Sequence, residues 1–276
     1  MMQSVAGKKI LITGAAMGMG RLYAELAIRE SAAAVVLWDV NEAALTETAE
    51  ALSAQGGKVH PYVVDVSSLE AIEETAAKVR TEVGDIELLF NNAGIVRGRF
   101  FWEHDHRRDT FLTMAINSLA IMYIAREFLP GMIASGSECR VVNIASAAGL
   151  VSNPKMSVYC ASKWAAVGWS DSVRLELEQA GHHHVKVTTV CPSYISTGMF
   201  DGAKAPLLTP ILTPEYVVNR VWRAMKLGKP FLTMPFMVRL SMLFRGLLPI
   251  RVWDWVGGKF FGVYKSMEDF HGRPTV

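Results

Sequence analysis

The chain has 276 residues, of which 51% are hydrophobic and 20% charged, so its composition is that of a globular protein and excludes a disordered one. A formal net charge of +2 indicates no nucleic-acid partner. The 3 cysteines have neither paired nor metal-like spacing, which favours free thiols in a reducing, cytoplasmic compartment and predicts no metal site.

Short apolar runs rich in β-branched residues alternate with helical patterns along the chain. Strands are predicted at residues 9–12, 34–38, 59–64, 86–90, 140–144 and 185–190. Helices are predicted at residues 21–30, 42–55, 69–83, 108–134, 157–180 and 216–225. The strand runs are apolar throughout, as in strands that are buried on both faces of a parallel sheet. The alternation therefore predicts an α/β fold with a doubly wound parallel sheet, which binds ligands at the carboxyl ends of its strands.

A glycine-rich turn lies between the first predicted strand and the first predicted helix. Residues 13–20 read Thr-Gly-Ala-Ala-Met-Gly-Met-Gly. Glycines there permit a tight turn and a close approach of the backbone to a pyrophosphate, while the helix N-terminus offers N–H groups and the positive end of a dipole. A plain βα turn also uses glycine, but the position directly after the first strand favours a dinucleotide site.

Asp39 follows the second predicted strand and lies nineteen residues after Gly20. A carboxylate at this place can accept hydrogen bonds from an adenosine ribose and would repel a 2′-phosphate. Neither Trp38 nor Val40 is the arginine that a 2′-phosphate would need. The sequence therefore favours NAD over NADP, with an ordinary strand-end aspartate as the alternative.

Four polar residues carry the predicted chemistry. Tyr159 and Lys163 share one face of a predicted helix, Ser146 follows the fifth strand, and Asn117 lies in the long helix before it. Hydride transfer at a carbonyl carbon requires proton transfer at its oxygen, and a phenol with a pKa of ~10 needs nearby positive charge to act as a base near neutral pH. Lysine can supply that charge, serine can bond the substrate oxygen, and asparagine can hold a water. Taken alone, a Tyr-x-x-x-Lys pair is more often a solvated helix face.

Together these motifs resemble those of the short-chain dehydrogenases/reductases. The glycine-rich turn, Asn91-Asn92-Ala93-Gly94, Asn117, Ser146 and Tyr159-Cys160-Ala161-Ser162-Lys163 occur in that family's order and spacing, over about residues 7–230. Within the family, residues 38–39, 216–225, 229–230 and the apolar tail are most similar to the retinol dehydrogenase and 17β-hydroxysteroid dehydrogenase type 11 branch.

The resemblance implies a Rossmann fold and an NAD-dependent oxidoreductase that interconverts a secondary alcohol and a ketone or aldehyde. The implied catalytic residues are Asn117, Ser146, Tyr159 and Lys163. The implied cofactor-binding residues are Gly14, Met17, Gly18, Met19, Gly20, Asp39, Asp65, Val66, Asn92, Ala93, Gly94, Tyr159, Lys163, Pro192, Ile195 and Thr197. The sequence departs from the family at Ser193, where glycine is usual after Pro192, and we expect cofactor binding to tolerate this change.

Residues 1–230 are thus predicted to form the dinucleotide-binding catalytic domain, and residues 231–276 a C-terminal apolar helical extension. Residues 226–276 carry a net charge of +5, whereas the rest of the chain carries −3. Residues 236–264 interleave apolar side chains with cations, and Pro249 and Gly257-Gly258 divide them into short helices. This pattern is typical of a helix in a lipid interface, and equally of residues that pack against the domain or a second subunit. Both interpretations place the extension over an apolar substrate entrance, and they therefore favour a lipophilic alcohol or ketone as substrate.

The remaining expectations concern assembly, location and the alternative function. The resemblance implies a homodimer or homotetramer, paired through the helices at residues 108–134 and 157–180. No transmembrane span is predicted, so the protein is expected in the cytoplasm, with peripheral membrane contact through residues 236–264 as the alternative. A non-catalytic nucleotide-binding scaffold or sensor is the competing function, and the four polar residues together favour an enzyme.

Overall fold

The computed structural model describes residues 2–272. Within this range a seven-stranded parallel sheet has the strand order β3-β2-β1-β4-β5-β6-β7. The strands are β1 (Lys9–Thr13), β2 (Ala34–Asp39), β3 (Val59–Val63), β4 (Leu88–Asn91), β5 (Cys139–Ile144), β6 (Val185–Pro192) and β7 (Phe231–Met234). The helices are α1 (Gly18–Arg29), α2 (Glu42–Ala54), α3 (Leu69–Glu82), α4 (Leu112–Met114), α5 (Ala120–Ala134), α6 (Ser157–Gln179), α7 (Pro214–Lys226), α8 (Phe236–Leu247) and α9 (Ile250–Trp253).

The doubly wound parallel sheet expected from the sequence is confirmed. Each predicted strand is present, with its ends displaced by one or two residues at most. The sequence analysis does not predict β7, which pairs with β6 at the edge of the sheet. This strand is short and only partly buried, so it lacks the continuous apolar run that marks the other strands.

Different helices cover the two faces of the sheet. On one face, Tyr23 of α1, Leu45 of α2 and Val217 of α7 share a buried cluster with strand residues. On the other face, helices α3, α5 and α6 contribute to a second cluster, which includes Ile72 and Phe128. Burial on both faces explains why the strands are apolar throughout. Each fully buried large side chain contributes about 1.5–3 kcal/mol to folding.

The long central helix runs from His106 to Ala134 without interruption. Two π-helical segments, His106–Phe111 and Ala115–Leu119, flank α4 and lead into α5. The helix has 29 residues and is long and apolar enough to cross a membrane, which the sequence analysis does not predict. However, 50% of its most apolar window is buried inside the protein, and Ile124 and Phe128 lie in the core beside the sheet.

The part of the predicted extension that the structure describes is helical and apolar, and residues 273–276 lie outside the described residues. Helix α8 ends at Leu247, and Pro249 precedes α9, which continues as the π-helix Asp254–Phe260. Backbone hydrogen bonds join this extension to the loop that follows β6. The Leu207 N–H donates to the Phe261 carbonyl at 2.9 Å, and the Lys204 N–H donates to the Ser266 carbonyl at 2.8 Å. The extension therefore packs against the edge of the sheet where the strands end.

The strand order places a crevice at the centre of the sheet. Strand β1 lies between β2 and β4, so the chain winds away from it in both directions. Doubly wound sheets bind ligands in the crevice at this switch point, outside the carboxyl ends of the strands. The glycine-rich turn follows β1, and residues 91–94 follow β4, so the two predicted cofactor motifs meet there.

Candidate active site

The glycine-rich turn has a backbone that side chains would disrupt. Gly14 and Gly18 have φ angles of +63° and +57°, in the left-handed region that favours glycine. A Cβ at Gly14 would lie 3.0 Å from the Ala93 Cα, and a Cβ at Gly20 would collide with the Gly14 carbonyl oxygen. The turn therefore packs tightly against the segment after β4.

Hydrogen bonds hold these two segments together. The Thr13 hydroxyl oxygen accepts the N–H groups of Asn92 and Ala93, each at 3.0 Å. The Asn92 side-chain amide donates to the carbonyls of Thr13 at 2.9 Å and Gly14 at 3.2 Å. The predicted cofactor residues on the two sides of the crevice thus form one rigid unit.

Asp39 lies beside the glycine-rich turn, at the end of β2. Its carboxylate accepts the Ala16 N–H and the Asn41 N–H, both at 3.0 Å. Asp65 lies further along the same edge, where its carboxylate accepts the Ser67 N–H at 2.9 Å. The structure therefore places both predicted carboxylates at the carboxyl ends of neighbouring strands.

The remaining predicted cofactor residues divide between the crevice and the core. A Cβ at Gly18 would lie 3.8 Å from the Thr197 side chain, so the loop after β6 reaches the glycine-rich turn. Ile195 in this loop is buried and forms an isolated bridge with Leu212. In contrast, the Met19 side chain packs against the apolar core. Three more of the predicted cofactor residues lie elsewhere along the chain: Met17 is the N-cap of α1, Val66 belongs to the second core cluster, and Pro192 ends β6.

The crevice fits the phosphates of a dinucleotide. Helix α1 begins at Gly18, no residue of its first turn is acidic, and no side chain caps its N-terminus. The first N–H groups of a helix lack partners within the helix, and the helix dipole favours an anion near them. A rigid glycine turn that leads into such an N-terminus is the arrangement that pyrophosphate binding requires.

Lys163 is buried in the crevice one helical turn after Tyr159. Its Nζ lies 5.7 Å from the centre of the Tyr159 ring and donates to the Ile144 carbonyl at 2.8 Å. Burial lowers the pKa of Lys163 to about 8. The ammonium is thus fixed between the end of β5 and the face of α6.

Asn117 joins the long helix to the segment after β4. Its Oδ1 accepts the Ile95 N–H at 2.9 Å, while its Nδ2 donates to the Ile95 carbonyl at 2.9 Å and to the Ser162 hydroxyl at 3.1 Å. A Cβ at Gly94 would lie 3.2 Å from Asn117 Oδ1 and 3.6 Å from Lys163 Nζ. Asn117 and Lys163 therefore approach the same backbone position. The π-helical turn that contains Asn117 is a common feature of functional sites.

The Tyr159 phenol is buried beside Ser146 and Lys163. Burial raises the pKa of Tyr159 above its usual value, and a hydrogen bond with Ser146 partly opposes that effect. The Lys163 ammonium is bonded to the Ile144 carbonyl and lies over the tyrosine ring. Within the protein, Tyr159 is therefore protonated at neutral pH.

An apolar cavity lies next to Ser146, on the side of the C-terminal extension. Its walls come from the loop after β5, the loop after β6, helix α8 and the π-helix at residues 254–260. The sequence analysis gives no signal for most of these residues, because they belong to no motif and come from distant segments. Lining residues of this kind include Ala148, Asn153, Met156, Tyr194 and Phe200, whereas Val238, Phe244 and Phe261 lie in the apolar segment 236–264 that the sequence analysis singles out.

Comparison with known proteins identifies the family. The profile of the short chain dehydrogenase family matches residues 8–207. This chain belongs to the short-chain dehydrogenase/reductase family. Epidermal retinol dehydrogenase 2 of Mus musculus is 39% identical to it over 276 residues, which cover 98% of this chain and 87% of that protein. Estradiol 17-beta-dehydrogenase 11 of Homo sapiens is 38% identical over 251 residues, which cover 90% of this chain and 82% of that protein.

A solved structure of another short-chain dehydrogenase/reductase shows the same architecture. The enzyme from Burkholderia phymatum, crystallised in complex with NAD, superposes with a TM-score of 0.80 at 29% identity. The match covers 89% of this chain and 96% of that chain. The family profile and this structure confirm the family that the sequence motifs indicate, and the retinol and estradiol dehydrogenase relatives confirm the branch. As a member of this family, the chain is an oxidoreductase.

Proposed function

We propose that this short-chain dehydrogenase/reductase interconverts a lipophilic secondary alcohol and the corresponding ketone or aldehyde, with NAD as its cofactor. The convergence of Asn117 and Lys163 on Gly94, with Tyr159 and Ser146 alongside, is the observation that carries the proposal. The names of the relatives, which are retinol and estradiol dehydrogenases, support an alcohol substrate. The apolar cavity beside Ser146 supports a lipophilic one.

The crevice supplies a distinct group to each part of NAD. The glycine-rich turn and the N-terminus of α1 bind the pyrophosphate, and Asp39 accepts the hydroxyl groups of the adenosine ribose. Asp65 and Val66 would hold the adenine, and residues 92–94 would support the cofactor from β4. Pro192, Ile195 and Thr197 would hold the nicotinamide carboxamide. When bound, NAD accepts or returns the hydride, and its oxidised ring carries a positive charge.

Tyr159 transfers the proton at the substrate oxygen. Burial raises the pKa of Tyr159, so Tyr159 keeps its proton until hydride transfer makes the substrate oxygen basic enough to take it during reduction. Ser146 bonds the same substrate oxygen and sets its position. In the oxidation direction Tyr159 has to lose its proton first, and the fixed ammonium of Lys163 stabilises the phenolate that results. Both protons of the Asn117 amide nitrogen are already bonded, so a relay water held by this side chain would bind at the remaining lone pair of Asn117 Oδ1.

A screen of NAD reduction with retinoids, steroids, long-chain alcohols and aromatic secondary alcohols tests the substrate class. We expect turnover with large apolar alcohols. Binding of NAD without turnover of any member of the panel would instead favour the non-catalytic scaffold or sensor.

Replacement of Tyr159 by phenylalanine removes the transferable proton and retains the shape of the ring. We expect Tyr159→Phe to reduce kcat by about 10²–10⁴-fold, the usual contribution of general acid–base catalysis. The dissociation constant for NADH, measured by fluorescence, should stay within about twofold. Tyr216→Phe, at an exposed tyrosine of α7, is the matched control and should leave both values unchanged. Near-normal turnover by Tyr159→Phe would contradict the assignment.

Asp39 should make the enzyme prefer NAD to NADP. A 2′-phosphate beside this carboxylate brings two like charges together, so we expect kcat/KM to be at least about 100-fold higher with NAD. Asp39→Asn keeps the shape of the side chain and removes the charge, and should reduce this preference by at least about tenfold. Equal or better use of NADP by the unaltered protein would show that Asp39 does not contact the ribose.

The long helix and α6 are proposed to pair across a two-fold axis, which gives a homodimer or homotetramer. Leu119 of the long helix and Leu175 of α6 are apolar and exposed, as residues of such an interface would be. Sedimentation velocity should therefore show a dimer or tetramer at micromolar protein. A monomer whose sedimentation is independent of concentration would contradict this.

Residues 236–264 are proposed to contact an anionic membrane surface, which gives a cytoplasmic protein with a peripheral membrane site. Five large apolar side chains in this segment have exposed fractions between 59% and 71%: Phe236, Leu247, Ile250, Trp255 and Phe260. Three exposed cations, Arg239, Arg251 and Lys259, lie among them. Exposed apolar groups interspersed with cations fit the interface of an anionic bilayer.

Vesicle flotation tests this contact with the full-length protein. The protein should float with vesicles that contain phosphatidylserine and phosphatidylcholine, and less with phosphatidylcholine alone. The double variant Leu247→Asp with Ile250→Asp should remain in solution, whereas Trp102→Asp, at an exposed aromatic residue outside the extension, should float normally. Equal flotation of the double variant would refute the proposed surface. A change in oligomeric state without flotation would show instead that a second copy covers it.

A further inference from the structure

A cluster of three polar side chains lies in the wall of the apolar cavity, apart from the four proposed catalytic residues. Asn153 precedes α6, Tyr194 follows β6, and Ser266 belongs to the C-terminal extension. The Asn153 Nδ2 lies 3.0 Å from the Tyr194 hydroxyl and 2.9 Å from the Ser266 hydroxyl. The two hydroxyls are 2.7 Å apart. Three distant segments of the chain therefore meet at this cluster.

The hydrogen bonds fix the direction in which the Asn153 amide points. The Ser266 hydroxyl donates its only proton to the Val263 carbonyl at 2.6 Å. In its hydrogen bond with the Tyr194 hydroxyl, Ser266 is therefore the acceptor. Tyr194 consequently donates its own proton to Ser266. Neither hydroxyl has a proton left for Asn153, which must therefore present its two N–H groups to them. The carbonyl oxygen of Asn153 points away from the cluster.

That carbonyl oxygen, Asn153 Oδ1, is buried and has no hydrogen-bond partner among the described residues. Asn153 lines the cavity, and its neighbours there include the apolar side chains of Met156, Phe200 and Phe261. A buried acceptor without a partner is unfavourable, so such atoms in a cavity wall indicate a ligand group that bonds them. None of the described residues that line this cavity is charged.

The unpaired acceptor belongs to the cavity that also reaches the proposed reacting centre. Ser146 and Asn153 both line this cavity. The Phe200 ring, a third lining residue, packs edge-on against Tyr159, with centroids 6.0 Å apart, and against Tyr194, with centroids 5.3 Å apart. A ligand that fills the cavity can therefore bond Ser146 with one group and meet Asn153 with another.

We propose that Asn153 is a specificity-determining residue, whose Oδ1 accepts a hydrogen bond from a second hydroxyl group of the substrate, remote from the reacting carbon. The proposal rests on the proposed function and narrows it to lipophilic alcohols and ketones that carry such a hydroxyl. A neutral hydroxyl fits better than an ammonium, because the uncharged wall offers no carboxylate to pair with a cation. The hydroxyl group of the bound substrate then supplies the hydrogen-bond donor that Asn153 Oδ1 lacks in the structure.

A pair of rigid ketones tests the proposal: 3-hydroxyandrostan-17-one and androstan-17-one, which differ only in the hydroxyl far from the reacting carbonyl. With NADH and the full-length protein, kcat/KM should be at least about tenfold higher for the hydroxylated ketone, mainly through KM, because a site built to bond a hydroxyl rejects the analogue that lacks it. Asn153→Leu has a similar side-chain size and removes the acceptor together with the amide that bonds Tyr194 and Ser266. It should reduce this ratio to about one, and the ratio is the readout because loss of the amide bonds affects both ketones alike.

Ser193→Ala is the matched control, because the Ser193 hydroxyl is the other unpaired polar group in this wall. This variant should keep the preference. Three results would overturn the proposal: no preference in the unaltered protein, loss of the preference in Ser193→Ala instead of Asn153→Leu, or an equal fall for both ketones in Asn153→Leu. If the leucine variant does not fold, Asn153→Ala replaces it.

Calorimetric titration of the same ketones into protein saturated with NADH separates this inference from the proposed function. Selective binding of the hydroxylated ketone without turnover would support the role of Asn153 and contradict the proposed reaction. Failure to bind either ketone would overturn the proposed substrate class.

Discussion

The site depends on the hydrogen bonds between the ends of β1 and β4. Thr13 receives two backbone N–H groups from the segment after β4, and Asn92 returns two bonds to the carbonyls of the glycine-rich turn. Each such bond contributes only about 1 kcal/mol to stability. Their larger effect is geometric, since they fix the two sides of the cofactor crevice relative to each other without any ligand. A Cβ at Gly14 would press against Ala93 at this contact.

From this contact, a continuous series of hydrogen bonds leads to the proposed catalytic residues. Ile95 follows the fixed segment, and both its N–H and its carbonyl are bonded by the Asn117 side chain. Asn117 also donates to Ser162, whose own hydroxyl donates to the Tyr159 carbonyl at 2.7 Å. The backbone of the cofactor crevice is thereby connected to helix α6, which carries the proposed acid/base Tyr159. Ser162 lies within the segment from Tyr159 to Lys163 that resembles the family's motif, and its hydroxyl connects Asn117 to the backbone of Tyr159.

The sequence predicts those parts of the molecule whose signal is local. Strands buried on both faces are continuous apolar runs, and the four polar residues stand in motifs with fixed spacing, so both can be read from the chain. Strand β7 escapes prediction because an exposed edge needs no such run. The cluster around Asn153 escapes it because Asn153 and Ser266 are 113 residues apart and belong to no motif. The burial that raises the pKa of the Tyr159 phenol escapes it as well, because a sequence does not show burial.

Helix α8 connects the proposed chemistry to the proposed membrane contact. Val238 and Phe244 of this helix line the cavity, whereas Phe236 and Leu247 expose about seven-tenths of their surface to solvent. One short helix thus forms a wall of the substrate cavity and part of the exposed apolar surface.

If that surface rests on a bilayer, a lipophilic substrate moves along α8 from lipid to cavity without crossing bulk water, which avoids the cost of hydrating its apolar area. The cluster of Asn153, Tyr194 and Ser266 then has two effects, because it ties the extension to the loops around Tyr159 and offers a hydrogen-bond acceptor inside a largely apolar wall. Substrates of equal lipophilicity would enter alike, and the hydroxyl that reaches Asn153 would distinguish between them.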